Sequence, residues 1–323
     1  MLYLNQEEVA AAAASCGDLL QAIEQAYRIY AEKDFYMPPR FSVDYKGDNL
    51  LYMPCFAGDV FGTKVLSLFP ENKLKGKDFI SGVMLLNDAE TGELRAILNA
   101  KALTAYRTAA VTSCALKYLM RQDETRLGIA GAGVQGFHQA LFAVQAFEHI
   151  DRVMIYDPFV QNLDAFMEHL RGRAGRPVSV SVAASSEQLL KCSDVIITAT
   201  NAQQPVLPGD PALLQGKLIC AVGSYKHEMR ECPDALFPLL DTIYVDLEHA
   251  CEESGDLYFP LKDGLATMDK VVPFCDVITG KHQPDRHTTR LFKTVGMGLF
   301  DLCVAEYLYS AAVRLGLGVP LED

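Results

Sequence analysis

The sequence has no lysine and arginine cluster of the kind that forms a nucleic-acid surface. Its 29 Lys and Arg stand against 41 Asp and Glu, a formal net charge of −12, where a nucleic-acid surface calls for a basic patch. The acidity is read as plain solubility. The 9 cysteines form no C-x-x-C pair. Their odd number, and the apolar runs around Cys114, Cys192, Cys220 and Cys303, exclude a disulfide framework and point to buried thiols in a reducing cytoplasm. The 7 histidines never converge with cysteine at ligand spacing, so no metal site is expected. His282 and His287 belong to a polar loop, "KHQPDRHTTR". The N-terminus, "MLYLNQEEVAAAAA", lacks the basic region of a secretory leader. The most apolar late stretch is interrupted by Asp301, Glu306 and Arg314, which excludes a membrane span. There is no internal repeat and no low-complexity tract.

What is present is enough apolar material for a large core. Half of the 323 residues are hydrophobic, sufficient for two domains or one large one. A helix is expected from Glu7 to Lys33, broken by the prolines of "DFYMPPRFSVDY". "NLLYMPCF", "GTKVLSLF" and "ISGVMLLND" read as strands, "NDAETGELRAIL" as a hairpin and "NAKALTAYRTAAVTSCALKYLM" as a helix. From Thr125 onward, short apolar strands alternate with helices: "RLGIAG", "VQGFHQALFAVQAF", "RVMIYD", "VQNLDAFMEHL", "VSVSVA", "SSEQLLKC", "DVIITAT", "KLICAVG", "TIYVDL". That alternation predicts an α/β fold with a parallel, doubly wound sheet. After about Arg290 the chain reads as one helical stretch, able to pack back on the N-terminal part and make the first domain discontinuous. The boundaries so drawn are 1–120 plus 295–323 for that domain and 121–294 for the inserted one.

The strongest local signal is "GIAGAGVQGFHQALF", with G-x-G-x-x-G at Gly131, Gly133 and Gly136 between a strand and a helix. In that context the glycines allow a tight turn, backbone approach to a pyrophosphate and close helix packing, and the helix N-terminus offers N–H groups to phosphate. Gly131, Ala132, Gly133, Val134 and Gln135 are therefore the candidate phosphate loop. Asp157 ends the next strand, where an acid accepts from the adenosine ribose hydroxyls. With no arginine directly after it, NAD(H) is favoured, with NADP(H) as the alternative. Thr200 and Asn201, at the end of "DVIITAT", and Gly223, at the end of "KLICAVG", are further candidates for lining the cofactor. A purely structural polar turn accounts equally well for Thr200-Asn201.

Three cations lie in apolar surroundings: Arg40 after "YMPP", Lys64 in "FGTKVLSLFPEN" and Arg107 in "ALTAYRTAA". A charge inside an apolar element needs a partner. Facing one cleft, the three would bind an anion, and arginine suits a carboxylate; separate structural pairings are the other reading.

"GTKVLSLFPEN", "ALTAYRTAAVTSCA", "GAGVQG", "DVIITAT", "AVGS" followed by "MRE", "EESGDL" and "VGMGLFDLCVAE" together resemble the ornithine cyclodeaminase/μ-crystallin family, in order and along nearly the whole chain. The resemblance implies a Rossmann domain that binds NAD(H) or NADP(H), inserted into a discontinuous α+β domain for substrate binding and dimerisation, and a homodimer acting on a small amino or imino acid. It implies that Arg107 grips the substrate carboxylate, that Lys64 stands beside the carboxylate and the reacting nitrogen, and that Arg40 is a further carboxylate ligand. The family's cyclodeaminases carry an Asp where this chain has Tyr225. Tyrosine is a poor base near neutral pH, so the resemblance points to the branch that reduces cyclic imines such as Δ1-pyrroline-2-carboxylate, with Lys64, Arg107 and Tyr225 as its catalytic candidates. Cyclodeamination of ornithine or lysine, alanine dehydrogenation and a non-catalytic NAD(P)-holding binding protein are the alternatives. A cyclodeaminase would need another acid near Tyr225. Glu228 and Glu231 are the candidates, although Glu231 reads better as support for the helix that follows.

Overall fold

The computed structural model describes residues 1–322, the side chain of Lys73 excepted. Strand β1 (Leu2–Leu4) leads into α1 (Gln6–Ala12) and α2 (Cys16–Glu32). The single helix expected over Glu7–Lys33 is thus two. Asn5 and Glu8 form a capping box at the start of α1, and Ser15 Oγ accepts from the Asp18 N–H to start α2. A serine that competes for backbone donors restarts a helix better than it continues one. The stretch expected only to break the helix holds two short strands, β2 (Phe35–Tyr36) and β3 (Phe41–Tyr45). Four longer strands follow: β4 (Asp48–Ala57), β5 (Val60–Leu68), β6 (Ile80–Asp88) and β7 (Leu94–Asn99). Then comes α3 (Ala100–Leu119).

The alternating region opens with β8 (Arg126–Ala130), α4 (Val134–Ala146), β9 (Arg152–Tyr156), α5 (Asp164–Arg173), β10 (Ser179–Val182), α6 (Ser186–Cys192) and β11 (Val195–Thr198). It continues through α7 (Pro211–Leu214), β12 (Leu218–Ala221), β13 (Leu240–Val245), α8 (Ala250–Glu253), α9 (Gly255–Lys262), β14 (Val271–Pro273), α10 (Phe274–Ile278) and β15 (Thr289–Lys293). The chain closes with α11 (Gly298–Leu315) and β16 (Val319–Pro320).

Two units result. Unit 1 comprises Met1–Arg107 and the chain from Gly296 onward; unit 2 comprises Thr108–Val295. Residues 108–120 and Val295, grouped with the first domain on sequence alone, fall in unit 2. In unit 1 a mixed sheet runs in the order β16-β1-β7-β6-β5-β4-β2, with β3 also paired to β4. Strands β4 to β7 are an antiparallel meander, and α11 packs on it and on α2. Tyr27 of α2 meets Phe300 of α11 edge-on, with ring centroids 4.9 Å apart.

In unit 2 the sheet runs β10-β9-β8-β11-β12-β15-β13-β14, and its ladders are parallel. Strands β11 and β12 are buried at every residue, as strands covered on both faces must be. Chain order reverses between β8 and β11, which makes that crevice the switch point. Strand β15, "TRLFK", occupies the start of the stretch expected to be helical. It is buried throughout. Its charges hid it: Arg290 pairs with Glu124 and Lys293 with Asp256 inside the core.

All nine cysteines are free thiols, and Cys192 and Cys303 are less deeply buried than their apolar neighbours suggested. No described helix is long and apolar enough to cross a membrane. Among the described residues, no His/Cys/Asp/Glu group is arranged to hold a metal ion.

Candidate active site

Every second residue of β5 is buried: Val60, Gly62, Lys64, Leu66 and Leu68. Strand alternation therefore carries Lys64 to the middle of the inward face, between Met53 and Met84 on the neighbouring strands. A buried ammonium needs a counter-charge, and α11 supplies one. Lys64 Nζ donates to Asp301 Oδ2 at 2.7 Å, with both side chains almost fully buried. Asp301 lies in the first turn of α11, where the helix dipole favours a carboxylate.

Arg107, on α3, comes to the same carboxylate. Its Nε is 3.0 Å from Asp301 Oδ1. Neither atom has a hydrogen-bond partner of good geometry, so this contact is Coulombic and leaves a buried donor and a buried acceptor atom with capacity. Gly296 passes close to the guanidinium at φ +77°, and a Cβ there would overlap Arg107 Nη1. Its carbonyl accepts from Arg40 Nη2 at 2.9 Å. The structure thus gathers Arg40, Lys64 and Arg107 in unit 1 around the first turn of α11. Burial pushes the Lys64 ammonium down to about 7; Asp301 opposes the shift, and the charges of Arg107 and Arg40 add to it. A lysine of that kind exchanges a proton at neutral pH.

In unit 2 the glycine loop follows β8. Gly131 takes φ +102°, and a Cβ on it would lie 2.6 Å from the Ala199 carbonyl oxygen. Gly133 is exposed, and a Cβ there would meet nothing within 4 Å. Gly133 is also the N-cap of α4 and makes no side-chain cap. Asp157, one residue past β9, accepts from the Ala132 N–H at 2.9 Å and the Phe159 N–H at 3.0 Å. Loop, open helix end and fixed carboxylate fit a dinucleotide: room for a pyrophosphate, donors for it, and an acceptor for ribose hydroxyls.

Thr200 and Gly223 are held by a residue assigned another task on sequence. Glu231, expected to support the helix after it, turns its carboxylate back onto the strand ends. Oε1 accepts from Thr200 N at 2.6 Å and Thr200 Oγ1 at 2.8 Å. Oε2 accepts from Thr198 Oγ1 at 2.9 Å, Gly223 N at 2.7 Å and Ser224 N at 3.3 Å. Burial and the charge of Asp256 push this carboxyl up, and Lys293 and the Thr200 donors oppose them; the backbone N–H groups, which can only donate, suit the ionised form. Asn201 is exposed beyond Thr200. Tyr225 is half-buried in the loop after β12, with Lys226 Nζ 6.0 Å from its ring centroid. Glu228 is exposed.

Sequence reasoning missed Asp301, Asp256 and Lys293. The signal for Asp301 was on the page, an acid inside an apolar helix, but it served only to exclude a membrane span.

The profile of the ornithine cyclodeaminase/mu-crystallin family matches residues 2–315. A Δ1-pyrroline-2-carboxylate reductase of Bacillus cereus is 34% identical over 296 residues, which span 88% of this chain and 89% of that protein. The structure of Thermococcus litoralis Δ1-pyrroline-2-carboxylate reductase in complex with NADH and L-proline matches with a TM-score of 0.91 at 28% identity, covering 99% of this chain and 100% of that one. An archaeal alanine dehydrogenase dimer with bound NAD matches with a TM-score of 0.88 at 26% identity, covering 100% of this chain and 99% of that one. The chain belongs to the ornithine cyclodeaminase/mu-crystallin family.

Proposed function

We propose that this chain is an NAD(P)H-dependent reductase of cyclic α-imino acids, such as Δ1-pyrroline-2-carboxylate, which it converts to L-proline. One observation carries the reading: in unit 1, two buried cations, Lys64 and Arg107, share a single carboxylate, Asp301. The positive charge left over calls for an anion, and a substrate carboxylate supplies it. The reductases of Bacillus cereus and Thermococcus litoralis, by their names and by the NADH and L-proline in the latter's complex, support the choice of substrate.

Arg107 binds the substrate carboxylate through its guanidinium edge, with Arg40 as a further ligand. Lys64, with a proton to give near neutral pH, keeps the imine nitrogen protonated and so leaves the adjacent carbon electron-poor. Asp301 holds both cations. In unit 2, Gly131, Ala132, Gly133, Val134 and Gln135 take the pyrophosphate, Asp157 the adenosine ribose, and Thr200, Asn201 and Gly223 line the rest of the cofactor. Asp157 favours NAD(H), because its carboxylate repels a 2′-phosphate. NADH, when bound, supplies the hydride that the imine carbon accepts. Tyr225 shapes the substrate pocket without acting as a base. The division into two units supports a substrate-binding domain with an inserted nucleotide-binding domain. The dimeric alanine dehydrogenase supports a homodimer, and the free thiols support a reducing, cytoplasmic setting.

Purified protein mixed with NADH and Δ1-pyrroline-2-carboxylate should consume NADH, followed by nicotinamide absorbance. Ornithine with NAD+ should release no ammonia. Ammonia and proline from ornithine, or no turnover of the imine, would overturn the reading.

A further inference from the structure

The dinucleotide site of a doubly wound sheet has two halves, one on each side of the switch point. Here the glycine loop and Asp157 follow β8 and β9, on one side. The exits of β11 and β12, on the other side, are joined through Glu231. We propose that Glu231 is a positioning residue for the nicotinamide half of the cofactor: its buried carboxylate holds the Thr198–Thr200 and Gly223–Ser224 strand exits at one spacing. The inference rests on the cofactor reading above and concerns a residue outside the phosphate loop.

Both oxygens of Glu231 are committed, Oε1 to the β11 side and Oε2 to Thr198 and the β12 side. The two exits are already in contact. A Cβ on Gly223 would overlap the Thr200 carbonyl oxygen and lie 2.6 Å from Glu231 Oε1, so the spacing has no slack. The carboxylate is itself anchored. Asp256 Oδ1 accepts from the backbone N–H groups of Glu231 at 2.7 Å and Cys232 at 2.8 Å, and Asp256 Oδ2 meets Lys293 Nζ at 3.2 Å. Ser224 Oγ, next along the loop, donates to the Met229 carbonyl at 2.6 Å. Glu231 therefore sets where the polar ends of two strands stand, and through them the wall offered to the nicotinamide and its ribose.

A glutamine at 231 keeps the shape but offers one acceptor and one NH2. In either orientation its NH2 faces a backbone N–H, and one strand exit is pushed away. The test compares two ligands, NADH and ADP, the latter lacking both the nicotinamide and its ribose. In Glu231→Gln, the Kd for NADH should rise about tenfold or more, the scale of lost hydrogen bonds to a charged group, and that for ADP should stay within about twofold, both measured by titration calorimetry. Thr200→Val, which removes one hydroxyl donor and keeps the N–H, should move the NADH Kd the same way by about threefold. It serves as the readout if the glutamine variant does not fold. Equal weakening of both ligands would mark a merely structural role and overturn the inference. So would unchanged binding of both. Failure of the wild-type protein to bind either NADH or NADPH would instead overturn the cofactor reading.

Discussion

Each unit buries a cluster of charged side chains, and the two are balanced in opposite ways. In unit 1, Lys64 and Arg107 face one carboxylate, Asp301. In unit 2, Glu231 and Asp256 lie with one cation, Lys293. The surplus negative charge of unit 2 is met by the backbone, since Thr200, Gly223, Ser224 and Cys232 all donate N–H groups to the two acids. Among the described residues, the surplus positive charge of Lys64 and Arg107 has no such closure, and Arg107 Nε and Asp301 Oδ1 are left without aligned partners. A buried charge answered by backbone amides makes a fixed shape. One left over makes an affinity for a counter-ion, and that difference separates structure from site more sharply than burial does.

The largest effect should come from breaking the open cluster. Lys64→Met should cost imine reduction about 10²–10⁴-fold in kcat, the usual value of a positioned proton donor. Arg107→Gln should raise KM for the imino acid and lower kcat/KM by about 10²-fold or more, as truncating one partner of a buried charge pair does. In both, NADH affinity should be retained; a parallel fall in NADH binding would show that the clusters do not have separate tasks.

Stability should respond unequally. Lys293→Met leaves two acids buried without their cation and should destabilise the protein by about 3–5 kcal/mol in denaturant unfolding. Lys64→Met should cost less, because Arg107 stays beside Asp301 and the desolvation of the buried ammonium is relieved. Equal destabilisation by the two substitutions would erase the contrast.

The pH profile sharpens the point. Lys64 is pushed down to about 7 from 10.5. Its protonated form is the donor, so kcat/KM for imine reduction should be full below about 7 and fall above it, and proline oxidation should rise through the same value. Asp301→Asn, which removes the charge that supports the ammonium, should move the midpoint to lower pH. Between about 7 and 10.5 the folded state binds fewer protons than the unfolded one at this group, so the contribution of Lys64 to stability rises with pH across that window and is least below it.

The smallest effect lies at the edge of the nucleotide site. Asp157→Ser should narrow the preference for NADH over NADPH by about fivefold, for roughly 1 kcal/mol of repulsion removed at a partly solvated position. A preference that does not move in kcat/KM would take Asp157 out of cofactor choice.

Much of unit 2 was legible because its signals are short-range. "RLGIAG" before "VQGFHQALF" states strand, turn and helix within one supersecondary unit, and the glycine spacing has a steric reason at each position. The buried runs "DVIITAT" and "KLICAVG" read as covered strands because they are short and end in turn residues. Where charges entered such runs, reading failed. "TRLFK" is as buried as its neighbours, but Arg290 and Lys293 masked it until their partners were seen. The N-terminal helix failed for a local reason, a serine whose hydroxyl caps a new helix.

By itself, the sequence determined the alternating α/β unit, its phosphate loop and the presence of cations in apolar surroundings, because periodicity and turn chemistry act over a few residues. Only the tertiary structure decided which charges meet. Lys64 and Asp301 are 237 residues apart, and Glu231 reaches Thr200 across 31. No local rule pairs them. Strand alternation turns Lys64 inward, the first turn of α11 presents Asp301, and the cost of burying an unpaired charge does the rest.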